Sequence, residues 1–300
     1  MMIYNAFREM KRIVQSSGFW LSVGLALIII LTTNAYQEQG GTTYNVWMAA
    51  FLFDKAELLK MGLNMQTRFA LSLQAALPMY GPLFAALSFA SVICEEQKYG
   101  VRRYLIFKQG KVHYVLSKAL SAICASGLVF LVTALLFMLF MYWRYPLMSA
   151  NGVEDFQSWI EFHSTAPDGT PILLFSWFGE HAYCILQLIG VFLYGMFCGF
   201  IGYICTAFFS NVYLAVCIPF FFGYIYYSIS QTITGRMIEG SISMEIYNAM
   251  NTYVSPNGYM YFWRMTEGLM VNMLVLVGVW IVAVGIHMLC VQKATDCGVK

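Results

Sequence analysis

Between Ala182 and Gly235 the chain runs for 54 residues without one charged side chain. In hydrocarbon a backbone must satisfy its own hydrogen bonds, which leaves helices or a closed barrel. The run is too long and too uniformly apolar for the alternating strands of a barrel. It also exceeds twice the roughly 20 residues that a helix needs to cross a bilayer. Ser210-Asn211 is its natural tight turn, so it divides into helices over 182–209 and 212–230. Four more apolar runs complete the set, at 19–33, 75–94 (entered through Pro78 and Pro82), 119–143 and 268–291. The expected fold is therefore an all-α integral membrane protein, one transmembrane domain over 1–300 with six transmembrane helices.

Composition agrees. Only 11% of residues are charged and 60% are hydrophobic, whereas a soluble domain carries about 25% charged residues. The first run is short enough to resemble the apolar stretch of a signal peptide, and Arg8, Lys11 and Arg12 precede it; we read it as a spanning helix. The eight cysteines form no Cys-x-x-Cys pair and mostly lie within or beside the apolar runs, as small fillers rather than a disulfide framework.

Positive charge selects the orientation. With the N-terminus inside, the inner segments hold eleven of the seventeen Lys and Arg but only four of the fifteen acids. Both termini are expected in the cytoplasm and the chain in the cell membrane. Residues 3–15 read either as an amphipathic helix lying on the inner leaflet or as a basic flank that sets topology. In the helical reading Ile3, Phe7, Met10 and Val14 share one face, while Arg8 and Lys11 reach headgroups.

Three outer segments remain. Residues 46–73 add helix outside or extend the second crossing outward. The loop 144–181 is the most polar, with turns at Asn151-Gly152 and Pro167-Asp168-Gly169. His163 and His181 sit beside acids there but lack a third ligand, so no metal site is expected. Residues 231–267 are rich in Met and aromatics and break at Ser255-Pro256-Asn257-Gly258. They read as two short re-entrant helices before the last crossing, or as an aromatic belt at the interface.

The most informative segment is 94–118, which holds six of the seventeen basic residues. Glu95 and Glu96 open it, and Tyr99, Val101, Tyr104, Leu105 and Phe107 alternate with Arg102 and Arg103. Apolar residues exposed in so charged a loop call for a partner. The expected element is a short docking helix from about Glu96 to Phe107, stopped at Gln109-Gly110.

At this point the chain resembles the permeases of the ABC type-2 exporter family. The likeness rests on Glu95, Glu96, Gly100, Arg102, Arg103, Leu105, Tyr114, Ser117 and Lys118, and on the layout of six crossings with a short helix before the first. The resemblance implies that the loop, including Tyr99, Val101, Tyr104 and Phe107, docks a separate ATPase subunit present in two copies. It also implies a second permease chain, identical or homologous. ATP and Mg would bind the ATPase, because this chain has no Gly-x-x-x-x-Gly-Lys-[Ser/Thr] phosphate loop and by itself is no enzyme. No cofactor and no nucleic-acid partner is expected; membrane lipid is.

A chargeless path lined by helix two and the Tyr-rich end of helix five (Tyr224, Tyr226, Tyr227) suits an amphipathic or hydrophobic cargo such as a peptide, antibiotic or lipid-like molecule. Gly195 and Gly199 form a Gly-x-x-x-Gly face where a helix approaches closely, most simply one of the same chain. A secondary transporter is the alternative, although none of the six runs holds a Lys, Arg, Asp or Glu. An intramembrane protease is the other alternative. Its Glu-Glu-x-x-x-Arg signature is displaced here, with Gly at position 100 and arginines at 102 and 103.

Overall fold

The computed structural model describes residues 2–38, 41–165, 171–238, 243, 259 and 268–296. The chain is an all-α membrane-spanning protein, with one two-stranded hairpin as its only sheet among those residues. Five helices are long and apolar enough to cross a membrane: α5 (Met65–Lys98), α7 (Lys111–Arg144), α10 (His181–Phe208), α11 (Val212–Ile238) and α12 (Gly268–Asp296).

The N-terminal pair is different. α1 (Met2–Val14) and α2 (Ser17–Leu31) meet at a 59° bend, and only as one broken unit do they add a sixth. Ser16 causes the break: it leaves the helical region and its hydroxyl accepts from the amide of Phe19, capping α2. With 15 residues, α2 is about 22 Å long. The helix over the expected first crossing at 19–33 thus starts earlier, at Ser17, and stops at Leu31.

α5 extends outward beyond 75–94, one of the two readings of residues 46–73. Asn64 caps it by accepting from the amide of Thr67. The added turns bury Met65, Gln66, Phe69, Ala70 and Leu73, so packing rather than mean hydropathy sets its start. Pro78 and Pro82 lie inside α5 and not at its entrance. Each removes one backbone donor, leaving the carbonyls of Gln74 and Pro78 without their helical partners. The helix is continuous through both because α10 and α11 pack along it.

Outside the spans, β1 (Asn34–Gln37) pairs antiparallel with β2 (Thr43–Asn45), followed by α3 (Val46–Leu52) and α4 (Lys55–Lys60). Between α7 and α10 lie α8 (Val153–Ser164) and α9 (Leu173–Phe178). Trp47 stacks on Phe140, Trp143 meets Phe51 and Phe140 edge-on, and the Arg144 guanidinium lies 5.0 Å from the Phe51 ring centre. Such aromatic and cationic clusters suit a membrane–water interface.

The bundle is built around α5, which contacts α2, α7, α10 and α11. The two glycines of the Gly-x-x-x-Gly face point at α7 within the same chain. A Cβ on Gly195 would stand 2.9 Å from the Phe130 ring and from the Ser126 carbonyl, and one on Gly199 would strike the Ser126 side chain. The re-entrant helices expected within 231–267 lie mostly outside the described residues; the part that is described shows α11 continuing to Ile238.

Candidate functional site

α5 does not turn directly into α7. The chain leaves α5 at Tyr99, reverses at Gly100 with φ of +71°, forms α6 (Val101–Gln109), and reverses again at Gly110 with φ of +82°. Both conformations are left-handed, a region that glycine enters without penalty. The helix expected from about Glu96 to Phe107 therefore begins at Val101 and ends at Gln109. Glu95 and Glu96 belong to the last turn of α5. The correction follows from Gly100, which ends one helix and starts the next.

α6 has two faces. Leu105 and Ile106 turn inward onto a small core of Tyr114, Val115 and Val291. Arg102 is half-buried beside them, with an Nη2 nitrogen that is buried and has no hydrogen-bond partner. The other face carries Val101, Arg103, Tyr104, Phe107 and Lys108, all exposed, and Tyr99 just before the helix is exposed too. Phe107 shows 92% of its surface. Phe107 therefore belongs to no core of this chain, and Arg103 and Lys108 are exposed beside it.

Glu95 is exposed as expected of a docking residue, but Glu96 is not: only 2% of it is accessible. Its Oε1 accepts from Lys118 Nζ and from Arg12 Nη1, both at 2.6 Å. Lys118 Nζ also donates to Glu9 Oε2 at 2.6 Å, and the Tyr114 hydroxyl faces Glu96 Oε2 at 3.4 Å. Two carboxylates and two cations from α1, α5 and α7 thus form one neutral network under α6. Taking ions out of water costs several kcal/mol each, so burial is tolerated only with such mutual pairing. Gln97 next to it donates to the Thr206 carbonyl, tying the end of α5 to α10.

The network also orients α1. Ala6, Glu9 and Ile13 face the bundle, while Ile3, Tyr4, Phe7, Arg8 and Lys11 are exposed and Met10 and Val14 are half-buried. Tyr114 and Lys118 entered the sequence reading only through the family resemblance, and Glu9 and Arg12 were not marked as site residues. Glu9 carried a usable signal, as the lone acid in a basic N-terminus and on one stripe with Ala6 and Ile13.

Other polar side chains lie apart from this network. His163 bonds the Trp159 carbonyl at 2.8 Å and its ring packs on Trp159 and Tyr183, while His181 Nδ1 meets the Tyr142 hydroxyl at 2.6 Å. Among the described residues no three His, Cys, Asp or Glu side chains converge as metal ligands. Glu180 is buried at the start of α10, where Gln66 and the amide and hydroxyl of Ser149 donate to it. Tyr226 meets Pro78 and Pro82 across an apolar cavity of about 170 Å³ between α5, α10 and α11, whereas Tyr224 is exposed. Comparison with protein-family models, with curated proteins and with solved structures found no match to this chain.

Proposed function

We propose that this chain is the permease subunit of an ATP-driven exporter of the ABC type-2 kind, with six crossings and both termini in the cytoplasm. The carrying observation is α6: a short helix at one end of the bundle, bracketed by two left-handed glycines, with an exposed aromatic and basic face and a buried ionic base. The face formed by Val101, Arg103, Tyr104, Phe107 and Lys108 suits a cleft with apolar walls and an acidic rim, and the partner is a separate ATPase in two copies. The excess of Lys and Arg in the segments that include α1 and α6 supports a cytoplasmic location for that end.

The network gives α6 a mechanical connection. A push on α6 reaches α5 and α7 through the chain on either side, and α1 through Lys118 and Glu9. Closure of two ATPases around ATP and Mg would in this way move the permease of each half, and a second permease chain completes the path. The cargo is amphipathic or hydrophobic, in keeping with the apolar cavity against Pro78, Pro82 and Tyr226. The chain works in the cell membrane.

Mild-detergent purification of the tagged chain, with co-purifying proteins identified by mass spectrometry, tests the proposal. An ATPase with a phosphate loop should appear in near-stoichiometric amount and vanish when Tyr104 and Phe107 are replaced by Ala and Arg103 and Lys108 by Gln. A chain that purifies alone, or an ATPase retained by the quadruple variant, would count against the reading.

A further inference from the structure

We propose that α9, in the segment between α7 and α10, lies in the membrane–water interface at the end of the bundle opposite α6, its exposed face covered by phospholipid. α9 carries no charged residue. Phe175 is buried in the main core, with Ile172 and Leu174 packed against it, and so pins the helix to the bundle. The other face leaves Leu173, Trp177 and Phe178 exposed, at 67%, 73% and 50%. An apolar patch of that kind marks contact with a partner or a membrane.

The height of α9 follows from its junction with α10. The chain passes from α9 to α10 through Gly179, at φ of +54°, and Glu180. Glu180 accepts from Gln66 in the first turn of α5 and from Ser149 beyond the end of α7, which holds the junction to the rim of the bundle. His181 Nδ1 meets the Tyr142 hydroxyl at 2.6 Å, so α10 begins beside the last turn of α7. Trp143, the next residue on α7, belongs to the aromatic belt with Phe51 and Arg144. Phe178 and Trp177 precede His181 by three and four residues, at most about 14 Å of chain. They extend the belt from α7 to the entrance of α10.

At that height α8 separates the possible occupants. The amide of Ile172 donates to the Ser164 carbonyl at 2.7 Å, which ties α9 to α8, and Trp159 and His163 of α8 pack on the Tyr183 ring of α10. Glu154, Asp155, Gln157, Ser158 and Glu161 of α8 are exposed, a polar surface joined to the apolar one of α9. A membrane boundary with α9 on its apolar side and these residues on its polar side satisfies both helices at once. A symmetric contact between two copies pairs each patch with itself, and through α9 it would bring the acidic α8 against its own image. Tryptophan and phenylalanine beside a span are the residues that settle at headgroup level. With no basic residue on α9 they ask for no anionic headgroup, and a zwitterionic lipid suffices.

A nitroxide coupled to p-acetylphenylalanine at position 177 tests this in a chain that keeps its native cysteines, because only an exposed side chain is replaced. In phosphatidylcholine nanodiscs the label should collide several-fold more with oxygen than with a water-soluble nickel chelate, at a depth of about 5–10 Å into the headgroup–acyl boundary. Position 178 should agree with 177, and position 157 on α8 should show the reverse preference. A label as accessible to nickel at 177 as at 157 would leave α9 in water, free for a soluble protein, and would overturn the proposal. Low collision with both reagents would place a second copy over α9 and would overturn it too. Benzoylphenylalanine at 177 in the same nanodiscs gives a second reading: irradiation should add the mass of one phosphatidylcholine, whereas a crosslinked dimer or no adduct opposes the site. Neither measurement involves an ATPase, so the result is independent of the exporter proposal.

Discussion

Lys118 pairs with Glu9 and Glu96 while only 2% of its side chain is exposed. Replacing it by Met would leave two carboxylates facing each other in a buried place, and breaking a buried ion pair by removing one partner costs about 3–5 kcal/mol. Lys118→Met should therefore unfold well below the wild type in denaturant or heat, Lys118→Arg should keep most of the stability, and adding Glu9→Gln to Lys118→Met should restore part of the loss. A loss under about 1 kcal/mol would put the network on the level of an exposed surface pair. These partners could not be read from the sequence. Glu9 and Lys118 are 109 positions apart, and a lysine opening an apolar run looks the same whether it sets topology or anchors a helix. The same holds for Glu96, which reads as a loop acid until its neighbours are known. The exposure of Tyr99, Tyr104 and Phe107 was legible, because aromatic residues among charges stand out without any knowledge of contacts.

The elements were more visible than their ends. Apolar runs mark α7, α10, α11 and α12, and the break at Ser210-Asn211 falls between α10 and α11. An outward extension of the second crossing was one of two readings of 46–73, but its start at Met65 was not fixed, because Gln66 and Arg68 interrupt the apolar pattern and the partner of Gln66, Glu180, lies 114 positions along the chain. Close helix approach was likewise hidden at Gly223. A Cβ there would strike the Met79 carbonyl of α5, next to Pro78, whereas a Cβ on Gly24 of α2 would meet nothing within 4 Å. Gly223→Ala should lower the melting temperature by pushing α11 from α5. Gly24→Ala should leave it unchanged or raise it slightly, since alanine favours a helix by about 1 kcal/mol. Equal effects of the two in thermal unfolding would mean that α11 does not pack on α5 as described. At α6, Gly100→Ala puts a side chain on a left-handed residue with open space around it. The cost there is backbone strain of roughly 1–2 kcal/mol, and Gly100→Asn should be milder.

At the scale of the molecule, one end carries α6 and the ionic network and the other the belt of Trp47, Phe51, Trp143 and Arg144. Lys118 and Trp143 are 25 positions apart on α7, roughly 37 Å of helix, enough to cross a hydrocarbon core of about 30 Å and reach both interfaces. Orientation belongs to this scale, because it depends on the sum of charges over all segments. Single cysteines at Ser149 and Gln109, in a chain otherwise free of cysteine, should label from outside and inside respectively with a membrane-impermeant maleimide; the reverse pattern would invert the topology. The central claim is that α6 docks an ATPase, and a photocrosslinker tests it at one side chain. With benzoylphenylalanine at position 107 in living cells, irradiation should join the chain to an ATPase subunit with a phosphate loop, and the same probe at Trp177 should not. Crosslinks from position 107 to lipid alone, or to no ATPase, would contradict the account.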